Sequence, residues 1–206
     1  MNETINNDDI LVINTETNTK PTKVTYDPLP VYTEGHPFLK LPTKEVDPSE
    51  IKTPDFQQAI GQLKATMRQY GAVGISANQC GLNLRLFVLG TDVFQMACIN
   101  PKIIATEGET EKVREGCVSF PALFINVPRY KRIQVEYLNE NGESTTTWMD
   151  GITAQCFQHE LDHMNGICYT DKVGPLAVQM AKKRQAKIDR KSTRLNSSHV
   201  KRSRMP

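Results

Sequence analysis

Residues 156–166 read CFQHELDHMNG, and inside them stands H-E-x-x-H as His159, Glu160 and His163. On a helix, residues four apart share a face, so the two imidazoles can be offered to one metal ion. Glu160 then projects beside that ion, close to a bound water and not as a ligand. The chain has four histidines in all, so this pairing around a glutamate is improbable by chance. The wider stretch DGITAQCFQHELDHMNG, residues 150–166, predicts a helix. Asp150 stands at its cap, Ile152, Cys156, Phe157 and the two histidines line its faces, and Asn165-Gly166 close it.

A catalytic metal site needs three protein ligands and one open position. The pattern H-E-x-x-H-x-x-G-x-x-H fits at Gly166 but fails at its last position, which is Tyr169, and no Glu follows Glu160. Asp171 and Asp189 remain downstream, and the residues alone leave Asp171 open. Upstream, REGCVSFP carries Cys117, and a thiolate is a strong ligand for Zn²⁺ or Fe²⁺.

The surrounding chain predicts an α+β domain. In TPDFQQAIGQLKATMRQYG, residues 53–71, Thr53 caps a helix, Pro54 sits at the first turn and Asp55 complements the dipole. Phe56, Ile60, Leu63, Met67 and Tyr70 form one apolar stripe, and Gly71 ends the helix. LRLFVLG (84–90) and ACINPKIIA (97–105) read as strands, and residues 132–149 as a hairpin turning at Asn141-Gly142. The expected architecture is small antiparallel or mixed sheets packed around a central helix that carries H-E-x-x-H.

Length and composition agree. The chain has 206 residues, 38% hydrophobic and 23% charged, enough for one domain with its own core. No apolar run approaches the roughly 18 residues that cross a bilayer, and the first twenty residues lack the basic start and apolar stretch of a signal peptide. The five cysteines, Cys80, Cys98, Cys117, Cys156 and Cys168, include no C-x-x-C and suit a reducing compartment. Charge is uneven: residues 181–206 hold ten Lys/Arg and one acid, a net +9, which against the chain's +2 leaves −7 for the rest. The expected organisation is therefore a disordered extension over residues 1–27, a catalytic domain over 28–180 and a basic, disordered tail over 181–206.

Three motifs together resemble the peptide deformylases: AVGISANQ at 72–79, EGCVS at 115–119 and QHELDH at 158–163, in that family's order. The resemblance spans about residues 28–175. It departs at Ala72 and Ser76, small residues in place of Gly and Ala, and at Phe124, where many bacterial members carry an Arg.

The resemblance implies a hydrolase that removes the N-formyl group from the formylmethionine of nascent polypeptides and releases formate. It assigns Cys117, His159 and His163 to the metal, Fe²⁺ in many members with Zn²⁺, Ni²⁺ or Co²⁺ as substitutes. It gives proton transfer to Glu160, and oxyanion stabilisation to the Gln79 amide and the Val118 backbone N–H. Gly74 and Ile75 present backbone groups to an extended peptide, and Gly116 lies alongside. Val73, Ile152 and Cys156 line a methionine pocket closed near Glu115, while Phe157 belongs to the core.

The implied partners are formylmethionyl peptides and nascent chains close to the ribosome, with no membrane and no DNA, and the implied state is a monomer. The implied compartment is the cytosol of a bacterial or phage-infected cell, with an organelle as the alternative. A zinc endopeptidase and an inactive nascent-chain binder are the rival readings. The tail KSTRLNSSHVKRSRMP has no family counterpart and reads as translated adapter sequence, or else as a basic arm for ribosomal RNA.

Overall fold

A computed structural model describes residues 25–91 and 93–187. The expected disorder of residues 1–24 and 188–206 lies outside those residues.

The helix α1, Pro54–Gln69, begins where its sequence dictates: Thr53 Oγ1 accepts from the Phe56 amide at 3.4 Å, with Pro54 and Asp55 in the first turn. Phe56, Ile60, Leu63 and Met67 are buried, but Tyr70 is exposed, so the stripe ends one turn early. Five strands follow: β1 (Gly74–Ser76), β2 (Leu86–Gly90), β3 (Gln95–Cys117), β4 (Phe120–Leu138) and β5 (Ser144–Asp150). They form one sheet in chain order, antiparallel at every pairing, which is the antiparallel of the two arrangements expected, gathered into a single sheet. Short connections throughout force this result, because parallel neighbours need a long crossover.

The main surprise is the length of β3 and β4. Residues 106–114, TEGETEKVR, have no alternation to betray a strand, and all but Val113 are exposed; the hydrogen-bonded ladder to β4 carries them. From Leu123 the first half of β4 alternates, burying Leu123, Ile125, Val127 and Arg129 at every second position, while Phe120 stands out of step across a register shift. Its prolines, Pro121 and Pro128, hide that signal. Cys117 pairs with Phe120, so Val118 and Ser119 make the tight turn between the two strands. The hairpin expected at Asn141-Gly142 forms as β4–β5, with Gly142 at φ +78°.

The second helix, α2, spans Gly151–Met164 directly after β5. Asp150 makes no side-chain cap, contrary to expectation; its backbone is extended and Gly151 takes φ +55° to turn into the helix. This helix lies against β1, β2 and β4 and is buried on nearly all sides, including at His159, Glu160 and His163. A helix that buries its polar residues does so for a reason beyond packing, since each needs a partner to offset its desolvation.

Residues 175–187 form a third helix, α3. The expected domain boundary at residue 180 falls inside it, because Ala181 is buried against Leu123 and its neighbours, Lys182 pairs with Glu34, and Gln185 donates to the Pro121 carbonyl at 2.6 Å.

Candidate metal centre

His159 and His163 stand on one face of α2, their rings 5.0 Å apart and edge to face. The end of β3 brings Cys117 to the same face. The Cys117 Sγ and the two imidazoles all offer atoms within 4.8 Å of one another, and Cys117 Sγ lies 3.4 Å from His163 Nε2. Asp171, the residue that the sequence left open, is engaged elsewhere: it pairs with Lys40 and accepts from the Cys168 amide at 2.8 Å.

His159 is held from behind. His159 Nδ1 donates to Glu115 Oε2 at 2.9 Å, which turns Nε2 toward Cys117 and His163. Glu115 in turn accepts from Arg129 Nε at 2.6 Å and Nη2 at 2.9 Å, and Arg129 also pairs with Asp162. Burial alone would raise the Glu115 carboxyl, but Arg129 and His159 hold it down at about 2. Arg129 is 2% exposed and was not anticipated as part of the site. Asn78, also buried, donates to the His163 carbonyl at 2.7 Å and ties α2 to the turn after β1.

Glu115 stands behind His159 and also lines the adjoining cleft. Its oxygens are taken up by Arg129 and His159.

The cluster suits a cation. Burial works against a charged His159, yet Cys117 and Glu115 hold its pKa well above the ordinary value, so the site favours one positive charge there. Burial pushes His163 well below its ordinary value, which keeps it in the neutral form that ligates metals. Among buried polar atoms, His163 Nδ1 and Glu160 Oε2 find no hydrogen-bond partner among the described residues. A soft thiolate with two imidazoles fits Zn²⁺ or Fe²⁺.

Gln79 reaches the same point from the turn after β1. Its Oε1 accepts from the Ser76 amide at 2.9 Å and from Ser76 Oγ at 2.9 Å. Its Nε2 donates to Cys117 Sγ at 3.2 Å and to Ser119 Oγ at 3.0 Å. The orientation of the amide is thus fixed, donors toward the cluster. Ser76 has more to do than stay small.

Glu160 is 3% exposed, and burial pushes its carboxyl up to about 7, with Glu115 adding and His159 opposing. Gly74 makes room for it: a Cβ there would come 2.5 Å from Cys156 Sγ and 2.7 Å from Glu160 Oε1. Cys156 itself donates to the Val73 carbonyl at 3.3 Å, and burial keeps its thiol protonated.

These groups open into a cleft of about 610 Å³. Val73, Gly74, Gly116, Val118, Ile152 and Cys156 line it, together with Gln79, Cys117, His159 and Glu160. Ile75, expected to offer only its backbone, is not among the lining residues; its side chain is fully buried in the core with Leu63 and Val88. His163 lies just beneath the cleft, fully buried. The walls add Tyr70, which the sequence placed in the α1 stripe, and Phe120 and Leu123, which no sequence pattern marked.

Comparison with known proteins places this arrangement. The family model described as polypeptide deformylase matches residues 28–179. The peptide deformylase of Thermotoga petrophila is 36% identical over 156 residues, covering 76% of this chain and 93% of that protein. The peptide deformylase of Fusobacterium nucleatum is 35% identical over 167 residues, covering 80% and 95%. A crystal structure of the Synechococcus elongatus peptide deformylase in complex with actinonin superimposes with a TM-score of 0.72 at 34% identity, covering 82% of this chain and 91% of that one. The Met-Ala-Ser-bound enzyme of Acinetobacter baumannii gives 0.67 at 29% identity, covering 71% and 98%. With matches running through most of its length, at up to 36% identity and in both sequence and fold, the chain belongs to the polypeptide deformylase family.

Proposed function

We propose that this hydrolase, which removes the formyl group from formylmethionyl peptides, does so with Cys117, His159 and His163 holding one ferrous ion, and with Zn²⁺, Ni²⁺ or Co²⁺ able to substitute. When bound, such an ion supplies Lewis acidity, lowering the pKa of water toward about 7 and polarising the formyl oxygen. The observation that carries the reading is Glu160: a buried carboxylate with one unpartnered oxygen, in the cleft and on the same helix as the two histidines.

Glu160 takes the proton of the attacking water and returns it to the departing methionine amine. Oxygen from water bonds to the formyl carbon, and the C–N bond breaks to leave formate and a free N-terminus. Gln79 Nε2 and the Val118 N–H donate to the oxyanion that forms on the way. For Gln79 this means transferring the N–H that now rests on Cys117 Sγ, a weak acceptor. The methionine side chain rests among Val73, Ile152, Cys156 and Leu123, and the peptide runs along Gly74 and Gly116. β1 supports this path, because among the described residues it is the edge strand of the sheet, and an edge strand can take up an extended peptide.

The substrate arises on nascent chains, which favours a cytosolic monomer working close to the ribosome. Among the described residues no helix is long and apolar enough to cross a membrane. The test is metal analysis of anaerobically purified protein together with formate release from formyl-Met-Ala-Ser. One equivalent of iron with formate release is expected. Cleavage of unformylated peptides at internal bonds, without formate, would reject the reading.

A further inference from the structure

The active-site cleft does not end at its mouth. It shares Arg114, Ala122 and Phe124 with a second groove of about 980 Å³ between the β3–β4 hairpin and α3. The floor of this groove is apolar, with Phe124 47%, Leu176 70% and Met180 49% exposed. Its rim is basic, carrying Lys112, Arg114, Lys172 and Arg184, and it has no acidic lining residue. Lys172 is partly neutralised by Asp162 at 3.2 Å, whereas Lys112, Arg114 and Arg184 have no carboxylate partner among the described residues.

Arg114 marks the passage between the two. Its guanidinium lies over the Phe124 ring, 4.7 Å from the centroid, an arrangement that holds the planar group by one face and leaves its N–H edges free. Phe124 is itself set by Gly116, where a Cβ would come 2.7 Å from the ring. The residue that the sequence marked as a missing arginine thus supports an arginine on the neighbouring strand.

We propose that this groove receives the downstream part of the substrate polypeptide, and that Arg114, Lys112 and Arg184 make the enzyme favour formylated chains whose following residues are acidic and apolar. Continuity with the cleft places the occupant, and the one-signed rim over an apolar floor sets its chemistry. The inference rests on the deformylase reading of the cleft.

The experiment compares formyl-Met-Ala-Ser with formyl-Met-Ala-Ser-Glu-Leu-Glu-Leu and formyl-Met-Ala-Ser-Lys-Leu-Lys-Leu on the iron-loaded full-length enzyme. Failure on the short peptide would sink the reading of the cleft, and only a working short peptide makes the comparison of the long ones meaningful for the groove. The acidic peptide is expected to exceed the basic one in kcat/KM by about fivefold, the combined yield of two or three exposed ion pairs. The difference should reside in KM, since the contacts are equal in ground and transition states. It should shrink at high ionic strength. Arg184→Glu and Arg114→Gln should each bring the ratio of the long peptides toward one. Equal turnover of both long peptides by the wild type overturns the proposal even if no variant folds. So does a preference for the acidic peptide that both variants retain. Sedimentation showing a dimer that Arg184→Glu dissolves would assign the groove to a second copy of the chain instead.

Discussion

His159 Nδ1 donates to Glu115 Oε2 at 2.9 Å, and Glu115 is held in turn by two bonds from Arg129. One proposed ligand is therefore oriented by a carboxylate on a strand and an arginine on the next strand. Glu115→Gln keeps the shape but can present its N–H₂ to Arg129 or to His159, where a donor is unwelcome. Metal affinity is expected to fall by about 10–100-fold, the usual cost of losing such a support. Competition with a chelator measures it, and unchanged affinity would show that the histidine needs no help.

Arg129 sits between Glu115 and Asp162 and is almost wholly buried. Arg129→Met removes the countercharge but not the two acids. Loss of about 3–5 kcal/mol is expected, as for other buried pairs broken from one side. Urea unfolding of the metal-free protein reads this without interference from the ion. The double variant Arg129→Met, Glu115→Leu should recover part of the loss, because no unpaired charge then remains at position 115.

Gln79→Leu should lower kcat by about 10²–10³-fold with little change in KM, as loss of one oxyanion donor does. Ser76→Ala should cost less than about tenfold, since the Ser76 amide still holds Gln79 Oε1 at 2.9 Å and only one neutral hydrogen bond is lost. If the alanine variant were as slow as the leucine one, the serine hydroxyl and not the backbone would be orienting the amide.

Glu160→Ala and Cys117→Ala separate proton transfer from ligation. The first should keep about one metal per chain and lose at least the roughly 10²–10⁴-fold that acid–base catalysis supplies. The second should lose stoichiometric metal, because two imidazoles hold an ion weakly without a third ligand. Each variant needs both measurements, metal content and formate release. A metal-free Glu160→Ala protein would require the roles to be reassigned.

The sequence by itself determined the local features that have a short physical period. The spacing of His159 and His163 puts both on one helical face whatever the rest of the chain does. Thr53-Pro54-Asp55 starts α1, Asn141-Gly142 turns a hairpin, and the three short motifs carry the family. What only the tertiary structure decided is everything that depends on strand register. TEGETEKVR becomes strand because β4 pairs with it, not through any preference of its own. That long hairpin delivers Cys117 to α2 and sets Glu115 against Arg129, fourteen residues away in sequence. It also packs α3 across Pro121 to form the second groove, while pairing of β1 with β2 turns Ile75 into the core. A single sequence carries no period that encodes such pairings, because they arise from hydrogen bonds and burial between segments that meet only when the sheet has formed.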